Sequence, residues 1–368
     1  MPAAPNCSRY FALAAVGAAL VLAAVDRARW LPPDPLFAAK VRAAQIMREG
    51  LVVLRAERAR RGLPQDDATD PNHTGLIGRD YTDLTTTLGS PVAKRTSTNP
   101  NFAGVVVALL DRAGVKKGDP IAVACSGSFP ALNLAVLAAA RALELRPVIV
   151  STVGASSYGA NEPQWTWLDM ERQLAEQGVV LHRSAWASLG GIVAEAGGLD
   201  GTGLAAGRAA IDRAGVRYLD EGKRDTLQRD VIRRMDLYRE ACGGRPAAFV
   251  NVGGALTSLG AVHEAPLFPA GLITTTERSV DPQRGLIARM VEEGVPVIHL
   301  LDIRHLAGKY GLPIDPVPLP PVPAGTVMKP GRYARGAAAG GLLALALILA
   351  GTGWRIRRTA GTATAARA

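Results

Sequence analysis

The sequence predicts an α/β fold: a largely parallel sheet with helices on both faces, flanked by N-terminal and C-terminal transmembrane helices. Three features predict it. From Ala93 onward, short apolar runs alternate with helical patterns, the habit of strands buried on both faces. Polar turns rich in Ser, Thr, Asn and Gly stand where those runs meet the helices. Two uncharged apolar stretches lie near the ends of the chain.

The elements follow in order. Residues 10–25 carry no charge, a stretch suited to a signal sequence or signal-anchor. A stiff Trp-Leu-Pro-Pro-Asp-Pro exit follows at 30–35. Residues 36–61 predict an amphipathic helix through Val41, Ala44, Met47 and Leu54, which packs on the body or props it off a bilayer. Residues 62–78 are turn-rich, and 85–89 form a short β segment. A helix runs from 99–101 to Gly114, and another from Pro130 to Leu143. Strands are predicted at 121–124, 147–153, 179–181, 248–252, 272–275 and 295–301, with a helix at 221–242 among those between them. A proline-rich linker covers 313–323. Residues 336–354 then form a second apolar stretch, closed by Trp354 and the basic run Arg355, Arg357 and Arg358. The organisation is therefore a tail and anchor over 1–30, a membrane-proximal helix and loop over 31–80, an α/β body over 81–323, and a linker, span and basic tail over 324–368.

The length of 368 residues allows a large core, and only 20% of them are charged, which excludes a disordered chain. The net charge of +10 at first suggests a polyanion partner. Its placement argues against nucleic acid. Seven basic residues and no acid follow Pro323, and three basic residues against one acid precede Leu31, so the body between is close to neutral. Basic residues on both sides of 336–354 nearly cancel under the positive-inside rule; the short N-terminal tail favours an extracytoplasmic body at a cell membrane. Cys125 and Cys242 are expected as small core residues.

Four polar turns are candidate ligand sites, because the carboxyl ends of parallel strands and the helix N-termini beside them receive anions. The first contributes Lys94, Arg95, Thr96, Ser97 and Asn99, and the second Ser126, Gly127 and Ser128. The third contributes Ser156, Ser157 and Asn161, and the fourth Asn251, Gly253 and Gly254. The bland alternative is that such residues cap helices and make turns. A Ser126 or Ser128 nucleophile would need a base such as His299 or His305, yet Ala-Cys-Ser-Gly-Ser is not the G-x-S-x-G elbow. Asp302 and His305 have one-turn spacing and His263 adjoins Glu264, but no metal motif stands out. Walker A and G-x-G-x-x-G are absent, so no cofactor is expected.

Several stretches together resemble the poly-γ-glutamate system protein family. They are TTTLG at 85–89, AKRTSTNPNF at 93–102, SGSFPALN at 126–133, VGASS at 153–157 with GAN at 159–161, TWLDME at 166–171, NVGG at 251–254, PVIHLL at 296–301 and YGLP at 310–313. The resemblance implies a membrane-associated accessory of poly-γ-glutamate (capsule-type polymer) biosynthesis or export in bacteria, working beside a separate synthase and export components. It supplies no established catalytic residues. A glutamyl polymer is the ligand it implies. The alternatives are a serine-dependent amide hydrolase or transferase acting on the polymer, and a non-catalytic scaffold.

Overall fold

A computed structural model describes residues 7–27, 34–190, 198–219, 227–260, 268–274, 284–329 and 335–365. The chain divides into a terminal unit, Met1–Phe37 with Lys329–Ala368, and a body, Ala38–Met328.

In the terminal unit, helices α1 (Cys7–Arg27) and α12 (Arg335–Ala365) pack on each other. Gly17 lies where a Cβ would stand 3.2 Å from Ile348, and Gly341 abuts Val25. Small residues at such contacts let apolar helices approach closely. Both helices are long and apolar enough to cross a membrane, over Ser8–Asp26 and Gly336–Arg358. Leu13, Leu20, Leu342 and Leu347 are exposed along them.

The body begins with α2 (Phe37–Arg60), whose Ala43, Ala44, Met47, Leu51 and Leu54 are buried. Gly50 is pressed so closely onto Leu134 that a Cβ would stand 2.8 Å from it. Of its two expected roles, this helix takes that of packing on the body. Then come β1 (Thr85–Thr87), α3 (Pro91–Ser97), α4 (Phe102–Arg112), β2 (Pro120–Ser126), α5 (Pro130–Ala142), β3 (Arg146–Thr152) and β4 (Ala155–Ser156). The chain continues through β5 (Asn161–Glu162), β6 (Trp165–Thr166), α6 (Trp167–Glu176), β7 (Trp186–Ser188), α7 (Gly201–Ala214) and β8 (Arg217–Tyr218). The last part holds α8 (Leu227–Cys242), β9 (Phe249–Val252), α9 (Leu256–Leu259), β10 (Gly271–Ile273), α10 (Leu286–Glu292), β11 (Val297–Leu300) and α11 (Ile303–Tyr310).

Seven strands form the main sheet in the order β10-β11-β9-β2-β3-β7-β8. All pair in parallel except β10, which runs antiparallel to β11 at the edge. Alternate strand residues face opposite layers. Ala122, Val150, Phe249, Val297 and Ile273 enter a core cluster with residues of α8 and α10. Val123, Ile149, Val250 and Ile298 are equally buried on the other face, and α5 packs on β2, β3 and β9.

Three expectations are corrected. Residues 179–181 are not a strand but the exit of α6. Gly178 adopts φ 69°, and the Val179 N–H donates to Leu174 O at 2.8 Å, a Schellman-type stop whose apolar residue is buried. The stretch at 94–97 is helical: Ser90 accepts from the Ala93 N–H and Pro91 supplies the first helical φ, the ordinary signals of a helix start. The strand expected at 272–275 starts at Gly271 and ends at Ile273, in a sheet-edge position. Of the strands that do form, β7 and β8 have too few residues to show an apolar pattern in the sequence.

Candidate functional site

The sheet order creates one privileged place. From β2 the chain winds outward to β3, β7 and β8, then returns through α8 to β9 on the other side of β2. The carboxyl ends of β2 and β9 therefore border the switch point at which open α/β sheets receive ligands. Ser126 ends β2, and Asn251, Gly253 and Gly254 lie at the end of β9. The two turns touch: Gly253 has φ 85°, and a Cβ on it would stand 3.0 Å from Ser126 Cβ.

Gly127 is required by packing. A side chain there would come 2.5 Å from Val153 O, because the chain leaving β3 crosses directly over the turn. The crossing is pinned by Gly127 N–H to Thr152 O at 2.9 Å and by Ala160 N–H to Gly127 O at 2.7 Å. It carries Ser156 and Ser157 onto the Ser126–Ser128 turn, where the Ser156 N–H donates to Ser128 Oγ at 2.9 Å.

Helix α3 delivers Lys94 to the same place. Its side chain is 2% exposed, with Nζ 2.6 Å from Ser156 Oγ, hydrogen-bonded to Ser128 O, and 3.8 Å from the centroid of the Phe129 ring. No carboxylate lies within ion-pair distance of it among the described residues. Burial without a counter-charge pulls the ammonium down from 10.5 to about 7. Gly89 roofs the pair, since a Cβ there would stand 3.1 Å from Ser156 Oγ and 3.2 Å from Lys94 Cε. Three oxygens of this region are buried without a partner among the described residues: Asn133 Oδ1, Ser157 Oγ and Asn251 Oδ1. Buried orphans of this kind are uncommon in folded proteins, and those in this region are open to a donor from outside the protein.

The remaining candidates have other duties. Arg95 makes a two-pronged ion pair with Asp315, at 2.7 and 2.6 Å, and is not a free cation. Thr96 Oγ1 donates to Val92 O and accepts from the Asp315 N–H, while Ser97 Oγ donates to Lys94 O. Asn99 Oδ1 accepts from the backbone and side chain of Asn101, which in turn holds the proline-rich segment through Pro321 O and the Ala324 N–H. Asn161 is saturated: it exchanges hydrogen bonds with the Arg79 backbone and donates to Thr85 Oγ1. These side chains are engaged in an ion pair and in hydrogen bonds within the protein.

His299 faces Asn251, with Nδ1 2.9 Å from Asn251 Nδ2, so Nδ1 accepts and Nε2 carries the proton. Burial lowers its pKa from 6.5 to about 4, which keeps the ring neutral. His305 is exposed on α11, and its backbone N–H is capped by Asp302 Oδ1 at 3.0 Å. Neither histidine hydrogen-bonds Ser126 or Ser128, whose partners include the Lys94 ammonium, the Ser156 N–H and Asn133 Nδ2. The Asp302–His305 spacing is a helix cap, and no group of three metal-binding side chains occurs among the described residues. His263 and Glu264 lie outside them. Cys125 and Cys242 are free and buried.

A separate cleft of about 370 Å³ is lined by Arg58, Asp66, Asp70, Arg79, Tyr158 and Glu162 among others. Four acids against two arginines line it, and Arg58 grips Glu162 at 2.8 and 2.9 Å, so the cleft presents no spare cation to an anion. It contains neither Lys94 nor the switch-point turns. The sequence singled out both Lys94 and Ser156, but assigned Lys94 to a different turn and missed Phe129 and Gly89. An aromatic residue at the head of a helix and a lone loop glycine carry no signal until the fold brings them together.

Comparison with family models, with curated proteins and with solved structures returned no match.

Proposed function

We propose that this chain is a membrane-anchored accessory protein of poly-γ-glutamate biosynthesis or export, whose body takes up a glutamyl carboxylate at Lys94. The observation that carries the reading is Lys94 itself, a buried cation with hydroxyl and carbonyl neighbours and no acid beside it. A buried ammonium gains most from an incoming carboxylate, because the pair replaces lost solvation on both partners. A γ-linked glutamyl unit offers that carboxylate and an amide N–H, and the orphan oxygens of Asn133, Ser157 and Asn251 are acceptors for such donors. The near-neutral body restricts the attraction to this one place. The apolar helices α1 and α12 are the proposed anchors, with the body on the extracytoplasmic side and synthase and export components as its neighbours.

The test is calorimetric titration of the full chain in detergent with γ-linked and α-linked glutamate oligomers. Saturable binding of the γ-linked series is expected, weakened by about 10-fold or more in Lys94→Met, the value of a charge-assisted hydrogen bond. Absence of binding by either series leaves the scaffold reading in its place.

A further inference from the structure

Beyond binding, we propose that Ser156 and Lys94 form a nucleophile–base couple for acyl transfer on a carboxamide. The geometry is that of an activated serine: Lys94 Nζ and Ser156 Oγ are 2.6 Å apart, within the reach required of a nucleophile and its base. A Ser–Lys arrangement performs this chemistry without histidine or carboxylate. Lys94 is suited to it by what it lacks. A lysine paired with an acid stays protonated and has no lone pair to offer. Here the surroundings are Ser128 O, Ser156 Oγ and the Phe129 ring, and burial favours the free amine. As the free amine, Lys94 keeps one N–H on Ser128 O and turns its lone pair to the Ser156 hydroxyl.

The third member is Ser128. Its Oγ accepts the Ser156 N–H and holds the nucleophile's backbone in place, while its own O–H proton has no acceptor among the described residues. That proton is available to an oxyanion forming at Ser156. Gly89 covers the couple with backbone alone and is itself partly exposed, and its neighbour Leu88 is 88% exposed, so a substrate would approach by displacing this short segment.

The reaction balances with water or an amine as the only co-reactant. Ser156 Oγ bonds to the amide carbonyl carbon as its proton passes to Lys94 Nζ. The tetrahedral adduct collapses, the C–N bond breaks, and Lys94 returns the proton to the departing amine nitrogen. The resulting ester on Ser156 is attacked by water, or by an acceptor amine, whose proton goes to Lys94 and then to Ser156 Oγ as it leaves. Hydrolysis thus converts amide and water into carboxylic acid and amine; transfer exchanges one amine for another.

The inference rests on the reading of Lys94 as the functional group, with the protonated lysine taking up a carboxylate and the free amine, when no carboxylate occupies it, serving the couple; its test needs no polymer. The full chain in detergent is treated with a fluorophosphonate at pH 8.5, and the adduct is located by peptide mass spectrometry. Expected is a single phosphonylation on Ser156, lost in Ser156→Ala, reduced about 100-fold or more in Lys94→Met, and not restored in Lys94→Arg. Folding of each variant is checked by its thermal transition. An unreactive wild-type chain, or an adduct on Ser126 or Ser128, overturns the couple, and the wild-type result alone suffices for that. Binding of γ-glutamyl oligomers without labelling keeps the accessory reading and removes the couple. Labelling without binding or cleavage of those oligomers does the reverse.

Discussion

Lys94 Nζ and Ser156 Oγ lie 2.6 Å apart in a site that supplies the lysine with hydroxyl, carbonyl and aromatic neighbours, but no negative charge. The helix that carries Lys94 and the crossing that carries Ser156 are 62 residues apart in sequence.

The first prediction concerns pH. Burial lowers Lys94 from 10.5 to about 7, so between those values the unfolded chain holds a proton that the folded chain does not. Stability then rises with pH across that window and loses this contribution as pH falls toward 7, with a slope of at most roughly 1.4 kcal/mol per unit. Lys94→Met should remove the slope. Thermal midpoints of both proteins between pH 7 and 10 check it; parallel curves count against a buried, uncompensated lysine.

Glu171 gives the opposite sign. It is fully buried and burial raises its carboxyl from 4.5 to about 7, against the opposing hydrogen bonds from Ser184. Here the folded chain holds the extra proton, so stability falls as pH rises from about 4.5 to 7. Its carboxyl faces Ser184, which in turn contacts Ser151 Oγ at 2.7 Å. Glu171→Gln mimics the protonated acid in this chain. It should flatten the pH dependence below 7 and raise the midpoint at pH 8. An unchanged midpoint at pH 8 would show the carboxylate is not strained there.

Two glycines should respond in opposite ways to alanine. In Gly127→Ala the new Cβ meets Val153 O at 2.5 Å, a backbone contact that cannot swing aside. A loss of about 1–3 kcal/mol or more is expected, the range for overpacking a core. Gly201, at the start of α7, has open space where its Cβ would go. Gly201→Ala should be neutral or stabilise by about 0.5–1 kcal/mol. Chemical denaturation of the two variants against the parent separates them.

The Arg58–Glu162 pair ties α2 to β5 with both partners nearly buried, at 7% and 6% exposure. Arg58 also donates to Pro64 O, which fixes the start of the following loop. Arg58→Met leaves Glu162 with only the longer 3.4 Å contact from the half-exposed Arg79. A cost of about 3–5 kcal/mol is expected, and Arg58→Met with Glu162→Leu should recover part of it. A double-mutant cycle reads the coupling directly; purely additive losses would mean the two side chains do not act as a pair.

The fold was legible where local pattern and burial coincide. Strands β2, β3, β9 and β11 are apolar runs because they are covered on both faces, and α5 is an alanine- and leucine-rich helix between two of them. Strands β7 and β8 were not legible: they have three and two residues and are held by pairing with a neighbour rather than by their own composition. Val179 and Val180 misled for the same reason in reverse, being apolar because they close a helix.

For the site, the sequence by itself determined that Ser128 and Ser156 follow strands and that Lys94 stands in a polar stretch before a helix. It also determined the two apolar termini and the near-neutral body, since charge and hydropathy are properties of composition. Only the tertiary structure decided which of these groups meet. It matched Arg95 to Asp315, filled Asn161 with backbone partners and left His299 against Asn251. Lys94 went to Ser156 instead. The physical reason is that a charge is made reactive or inert by its neighbours and its solvation, and both are set by contacts between residues far apart in the chain.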